Sequence, residues 1–240
     1  MQDDAESMSV TLVCISGVKK VSSVLSLLRS GRKMKFARVL FITPNPKIHR
    51  FLNIEIVNSG ENKLDSIDKY NYFCVYELSK YITTEHCLVV QYDSGIINPD
   101  CWTDDFLKFD YIGAPWPVVE KAYIDPFGNH QRVGNGGFSL RSRKLLNVPR
   151  SESIPWRVDI GDFYQHFDLN YLSEDGNICV HNRHLYEKAG CKFAPLEVAA
   201  IFSKELPIPE NEGLRTFGYH RYRPNSFSLK KVATKFIQRG

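Results

Sequence analysis

The chain has 240 residues, of which 43% are hydrophobic, 12% aromatic and 24% charged, an ordinary composition for a packed globular protein that excludes disorder, collagen and coiled coil. Its 31 Lys+Arg against 27 Asp+Glu leave a formal charge of +4, too small a surplus to argue for nucleic acid. The length admits one large α/β domain or two small ones.

The opening residues MQDDAESMS are acidic and polar where a secretory signal carries a basic patch and an apolar run, so a cytoplasmic protein is expected. Val10–Ile15 is a continuous apolar run, and beyond Ser16-Gly17 the residues Val21, Val24, Leu25 and Leu28 recur at helical spacing. Ala37–Ile42 predicts a second buried strand, ended by Thr43-Pro44-Asn45-Pro46, and Ile54–Val57 a short third. A long helix is expected next, with Ile67, Tyr70, Cys74, Leu78 and Tyr81 on one face. Cys87–Val90 and Gln91 then form an apolar strand running into Tyr92-Asp93-Ser94-Gly95. Strands that are apolar throughout rather than alternating predict a mostly parallel, Rossmann-like sheet covered by helices. None of these runs approaches the roughly 18 apolar residues of a membrane span.

The second half is less regular, with strands expected at Asp110–Gly113, Phe138–Leu140 and near Phe193–Pro195, and a helix from Ser173 to Gly190. A single domain is expected over 1–226, its nucleotide-binding half in 1–100 and its acceptor half in 101–226. In 227–240, Leu229, Val232, Ala233, Phe236 and Ile237 make an apolar face beside Lys230, Lys231, Lys235 and Arg239. Such a segment either lies on anionic lipid at the inner face of a membrane or packs on the domain. The six cysteines form no CxxC pair and read as free thiols.

Asp93 follows a central strand, where open α/β sheets place their ligands. Its carboxylate suits a divalent cation bridging two phosphates, or else caps its own turn. Gly134-Asn135-Gly136-Gly137 lets the backbone turn sharply or a ligand approach, yet GxGxxG, GxxxxGK[ST] and GxSxG are all missing. Ser173-Glu174-Asp175 opens a helix, and two acids in a first turn satisfy the dipole or supply a general base. His181 and His184 are three apart without an acidic or cysteine partner at an adjacent turn, which favours packing over metal.

Taken in order, QYDSG (91–95), WTDDFLKFDYIGAPWP (102–117), VGNGGFSLRSRK (133–144), ED (174–175), FAPLEVAAIFSKE (193–205) and FGYH (217–220) resemble a bacterial and viral family long filed as a domain of unknown function. Its members are regarded as GT-A-like nucleotide-sugar glycosyltransferases of polysaccharide and O-antigen clusters. The resemblance covers roughly 85–220 and implies a GT-A-like fold and sugar transfer from a nucleoside diphosphate sugar to a glycan or lipid-linked glycan acceptor. By it, Asp93 matches a reduced Asp-x-Asp motif, with Gln91 and Gly95 in place of a second carboxylate. His220 matches a late histidine at the metal and pyrophosphate site, so Mn²⁺ or Mg²⁺ is implied with only one motif carboxylate to hold it. Gly136, Gly137 and Phe138 line the donor-sugar and acceptor cleft, and Asp175 matches the catalytic base of inverting enzymes. UDP-galactose or UDP-glucose is the donor expected on family grounds.

The expected site thus comprises Asp175 and Glu174 as catalytic acids, and Asp93, Ser16, Gly136, Gly137, Phe138 and Arg141 against the donor. Asp93 and His220 stand at the metal, and Arg141 or Arg143 adds charge toward the phosphates. Two other classes compete. One is a non-catalytic nucleotide- or glycan-binding module, with Trp102, Trp116 and Trp156 as stacking candidates. The other is a sugar nucleotidyltransferase, which would release pyrophosphate rather than nucleoside diphosphate. Trp116, in the GAPWP loop, is the better stacking candidate and Trp102 the better core residue.

Overall fold

The computed structural model describes residues 8–156 and 173–221. The basic segment 227–240 lies outside the described residues. The first half runs β1 (Met8–Ile15), α1 (Lys20–Gly31), β2 (Phe36–Thr43), β3 (Arg50–Phe51), β4 (Ile54–Asn58), α2 (Ile67–Tyr76), β5 (His86–Val90) and β6 (Ser94–Ile96). The second adds β7 (Tyr111–Gly113), β8 (Phe138–Ser142), α3 (Arg143–Ser151), β9 (Ser203–Lys204) and β10 (Gly218–His220).

The main sheet has seven strands in the order β3-β4-β2-β1-β5-β8-β7. Its β4, β2, β1 and β5 are parallel, while β8, β7 and β3 run antiparallel to their neighbours. The parallel strands are buried on both faces, which is why they read as unbroken apolar runs. Val10, Leu12, Cys14, Leu88 and Val90 pack with Phe138, Phe202 and Phe217 on one side, and Val13, Ile15, Cys87 and Val89 with Phe73, Cys74 and Leu78 on the other. Because β2 and β5 flank β1 on opposite sides, the strand order reverses between β1 and β5. A crevice opens beyond the carboxyl ends of strands at such a switch point.

A second, three-stranded sheet, β6-β10-β9, rests on α1. Ser26 Oγ donates to Ser94 O at 2.7 Å, and Ser30 Oγ accepts from Ile96 N at 3.2 Å. Val24 and Leu28 pack on the core as expected, and these bonds correct the rest of the expected α1 face. The helix buries Ser23, Ser26, Leu27 and Ser30, while Val21 is 76% and Leu25 44% exposed. Hydrogen bonds to sheet backbone, invisible to an apolar-periodicity count, turned the helix.

Three other expectations shift. α2 stops at Tyr76 and continues as a 3-10 turn over Leu78–Lys80, and Ile67 is exposed rather than sharing the buried face of Cys74 and Leu78. The helix expected between Ser173 and Gly190 has both predicted ends, with Ser173 Oγ accepting from Gly176 N and Gly190 at φ +83°. Its middle is a π stretch over Asn177–His181 that breaks at Asn182, whose side chain donates to Pro155 O and Asn177 Oδ1 instead of facing solvent. Near Phe193–Pro195, Phe193 alone pairs, as a bridge to Tyr111, because Pro195 has no N–H and caps the helix Leu196–Phe202.

All six cysteines are unpaired, and burial pushes the Cys14 and Cys87 thiols up to about 12. Among the described residues no helix is long and apolar enough to cross a membrane.

Candidate active site

The glycine turn is the hub of the site. β8 pairs antiparallel with β5, so Phe138 lies opposite Val90 and the turn before it lands beside Gln91, whose N–H donates to Gly137 O at 3.1 Å. Each glycine gives way to a particular group. A Cβ on Gly134 would sit 1.7 Å from the Trp116 ring, one on Gly136 2.0 Å from Glu174 Oε1, and one on Gly137 2.2 Å from His220 Nε2. Close approach, not turn geometry, demands glycine here, since none of the three has a positive φ. The residue with positive φ is Asn135, at 37°.

The two acids of the ED pair have unequal places. Glu174 is buried, and its Oε1 takes a 2.7 Å hydrogen bond from Arg141, itself fully buried. Burial raises the Glu174 carboxyl above its ordinary value against the opposing pull of Arg141. Asp175 is half-buried at the cleft, its Oδ2 accepting from Gly136 N at 2.9 Å and its Oδ1 from Gly176 N at 2.8 Å. Each oxygen keeps a further lone pair for an incoming hydroxyl. Glu174, by contrast, is committed to Arg141 beneath the turn.

Arg141 also donates to Ser139 Oγ at 3.0 Å and stands over the Tyr111 ring, so its charge is spent on the scaffold rather than offered to a phosphate. Arg143 pairs with Glu85 at the amino end of β5, the end of the sheet opposite the crevice. Phe138 is fully buried among Phe202 and Phe217 and does not reach the cleft. These placements correct the roles expected for Arg141, Arg143 and Phe138. The sequence shows residue type but not which side of a strand faces ligand.

The small sheet gathers four charged groups at one end. His220 pairs with Ser94 in the antiparallel register, so Asp93 sits next to Arg221, whose N–H donates to Asp93 O at 3.0 Å. The parallel register of Tyr219 with Lys204 brings Glu205 alongside His220. His220 Nδ1 lies 3.2 Å from Glu205 Oε1, and Nε2 lies 3.6 Å from Asp93 Oδ1. Burial alone would lower the His220 imidazole, but the two carboxylates outweigh it and raise it to about 9. Burial raises Asp93 in turn, yet His220 and Arg221 hold its carboxyl below the ordinary value. Neither His220 ring nitrogen nor Asp93 Oδ1 makes an aligned hydrogen bond, although all three atoms are buried. Arg221, largely exposed, stands 3.7 Å from Asp93 and 3.9 Å from Glu205.

A cleft of about 190 Å³ lies against this ensemble, bordered by Asp175, Gly136, Gly137, His220, Glu205 and Trp116. A second cavity of about 260 Å³ adjoins it at the carboxyl end of β1, lined by Ser16, Gly17, Val18 and Tyr92. Ile67, Tyr70, Gln91 and Arg221 border both, and Gln91 donates to Tyr70 Oη at 2.9 Å along the shared wall. Trp116 stacks on Tyr123 at 4.2 Å on the cleft wall, whereas Trp102 packs edge-on against Phe106 and Phe217 and Trp156 against Tyr72. His184 packs edge-on against Phe127.

Sequence reading reached Asp175, His220, Ser16, Gly136 and Gly137, which border this pair of cavities, and Asp93, which stands behind them against His220 and Arg221. It gave no role to Asn135 or Glu205, which stand inside recognised segments, or to Arg221, which follows the last of them. A resident cation is testable on donor chemistry. Among the described residues no three His, Cys, Asp or Glu side chains form a self-contained metal set. The Asp93 carboxylate, and His220 Nε2 once it gives up its proton, suit a divalent ion whose remaining ligands are phosphate oxygens.

Known structures share this fold. The galactosyltransferase LgtC, solved in complex with donor and acceptor sugar analogs, superposes with a TM-score of 0.52 at 13% identity, covering 95% of this chain and 94% of that one. Mouse xyloside xylosyltransferase 1 gives 0.52 at 11% identity, over 88% and 96% of the two chains. At such identities the likeness establishes the GT-A-like fold. No curated protein sequence matches. Residues 53–220, from β3–β4 through His220, match the family described as "Protein of unknown function (DUF5672)", and the chain belongs to that family.

Proposed function

We propose that this protein is a glycosyltransferase that moves a hexose, galactose or glucose, from a UDP-linked donor to a glycan hydroxyl in cell-surface polysaccharide synthesis. The observation that carries the proposal is the meeting, at the switch point, of a carboxylate open to the cleft with unpaired cation-binding atoms around a single glycine turn. Asp175 is held by Gly136 N, and the adjacent Gly137 backs on to His220 Nε2. A base and a phosphate-stabilising centre are what sugar transfer needs on the two faces of an anomeric carbon.

The nucleoside fits the cavity lined by Ser16, Gly17 and Tyr92, its diphosphate falls at Asp93, His220 and Arg221, and the hexose enters the cleft beside Trp116. The acceptor oxygen attacks the anomeric carbon as its bond to the phosphate oxygen breaks. Asp175 takes the hydroxyl proton, and the nucleoside diphosphate leaves with the bonding pair. Attack opposite the leaving group inverts the anomeric centre. Asp93 and His220 would hold a Mn²⁺ or Mg²⁺ ion, which when bound neutralises charge on the departing diphosphate. Arg221, with its side chain largely exposed beside Asp93, adds positive charge from the protein itself.

Thermal shift tests the donor class. UDP at about 100 times its Kd with Mn²⁺ should stabilise the protein by about 2.7 kcal/mol, raising Tm by roughly 5–10 °C, with smaller shifts for GDP and CMP. EDTA should remove the shift. A shift that survives EDTA but is lost in Arg221→Ala would assign the phosphate charge to the arginine rather than to a cation, and no shift with any nucleotide would sink the proposal.

A further inference from the structure

Glu205 closes the segment 193–205, and nothing in the sequence gives it a role. We propose that Glu205 is the positioning residue of the cleft, holding His220 and Asn135 at once so that His220 Nε2 and Asn135 Oδ1 face the donor. This inference rests on the donor-site reading above.

One carboxylate spans both groups. Its Oε1 lies 3.2 Å from His220 Nδ1, its Oε2 accepts a hydrogen bond from Asn135 Nδ2, and its side chain is only 12% exposed. The β9–β10 register sets it beside the histidine, while Asn135 reaches it from the glycine turn. A carboxylate has acceptors only, so the amide must present its NH₂ to Glu205, and the chemistry alone fixes which way the amide faces. That leaves Asn135 Oδ1 as a buried acceptor without a partner on a residue bordering the cleft. An unpaired buried acceptor is costly unless something completes it, and a sugar hydroxyl is the donor the proposed function supplies.

The imidazole is held in the same way, since Glu205 Oε1 beside Nδ1 orients the ring, as carboxylates do behind ligating histidines, and turns Nε2 toward Asp93 Oδ1 and Gly137. Gly137 completes the clamp, because the ring lies where its Cβ would be. Asn135 holds φ 37°, a left-handed conformation that asparagine adopts more readily than most residues, while its side chain is tied to Glu205.

The test uses the full chain labelled with ¹⁵N-histidine, the His220 ring signals being assigned from His220→Gln. Glu205→Gln, close in shape, should move the His220 Nδ1 and Nε2 resonances and leave the other six histidines in place. It should also weaken UDP with Mn²⁺ by about 10- to 100-fold in titration calorimetry, with Glu205→Asp recovering part of the loss. Glu210→Gln, which breaks an ion pair to Arg132, should change neither readout. Unmoved His220 resonances in Glu205→Gln, or nucleotide affinity within twofold of wild type, would overturn the positioning role. Wild-type protein that binds no nucleotide while Glu205→Gln still moves the ring signals would overturn the donor-site reading and, separately, leave the hold of Glu205 on His220 established.

Discussion

Asp175→Asn should lower turnover of a UDP-hexose by about 10²- to 10⁴-fold, the usual contribution of a positioned general base. The substitution is close to isosteric, so the effect separates chemistry from fold. Asp175 accepts from Gly136 N at 2.9 Å and from Gly176 N at 2.8 Å, and an asparagine can satisfy only one of these two donors. The loss of one such bond costs about 1 kcal/mol, a few degrees in Tm. The diphosphate groups sit at the other wall of the cleft, with Asp93 and His220, so UDP affinity should stay within about threefold of wild type. Unchanged turnover in Asp175→Asn would remove this carboxylate from the mechanism. Lost UDP binding together with lost turnover would make it a donor ligand instead of a base.

The largest effect on stability is expected at Arg141→Met. Arg141 and Glu174 form an ion pair at 2.7 Å with side chains 0% and 4% exposed, and removing the arginine leaves a buried carboxylate unpaired. Breaking such a pair from one side costs about 3–5 kcal/mol, equivalent here to a fall in Tm of roughly 6–20 °C. Arg141 Nη2 also reaches Gly136 O, and Nε donates to Ser139 Oγ, so the glycine turn loses support at the same time. The double variant Arg141→Met with Glu174→Leu removes both charges and should recover much of the loss in urea unfolding, because desolvation of two ions offsets most of what their pairing gains. If the double variant is less stable than Arg141→Met, the pair stabilises the fold beyond mutual neutralisation. Equal stability of wild type and Arg141→Met would contradict the burial of Glu174 as a charged group.

The parallel half of the sheet was legible because each strand is buried on both faces and therefore carries its own apolar signal. Val10–Ile15, Ala37–Ile42 and Cys87–Val90 sit within observed strands, and the switch point between β1 and β5 follows from their order. Asp93 could be placed at the crevice for the same reason. The small sheet was not legible. Its strands are three, three and two residues long, too short for any periodicity, and the β6–β10 pairing joins residues more than 100 positions apart. That sheet nevertheless sets Glu205 beside His220 and Arg221 beside Asp93. The α1 face failed for a related reason, since Ser26 and Ser30 bury themselves by bonding to β6 backbone, while apolar Val21 is left outside. Arg141 and Phe138 show the same limit within a strand. Both belong to a recognisable segment, yet β8 is covered on each side, and alternation says nothing about which neighbour is ligand and which is core.

Phosphorus NMR of the purified full chain, incubated with UDP-glucose or UDP-galactose, Mn²⁺ and an acceptor glycan panel, is the most direct test of glycosyl transfer. The expected result is appearance of UDP, with the hexose delivered to water or acceptor with inverted anomeric configuration, and its suppression in Asp175→Asn. Donors that bind yet stay intact across UDP-, GDP- and CMP-sugars would make the protein a binding module, and pyrophosphate released from a nucleoside triphosphate and a sugar phosphate would make it a nucleotidyltransferase; either result contradicts sugar transfer.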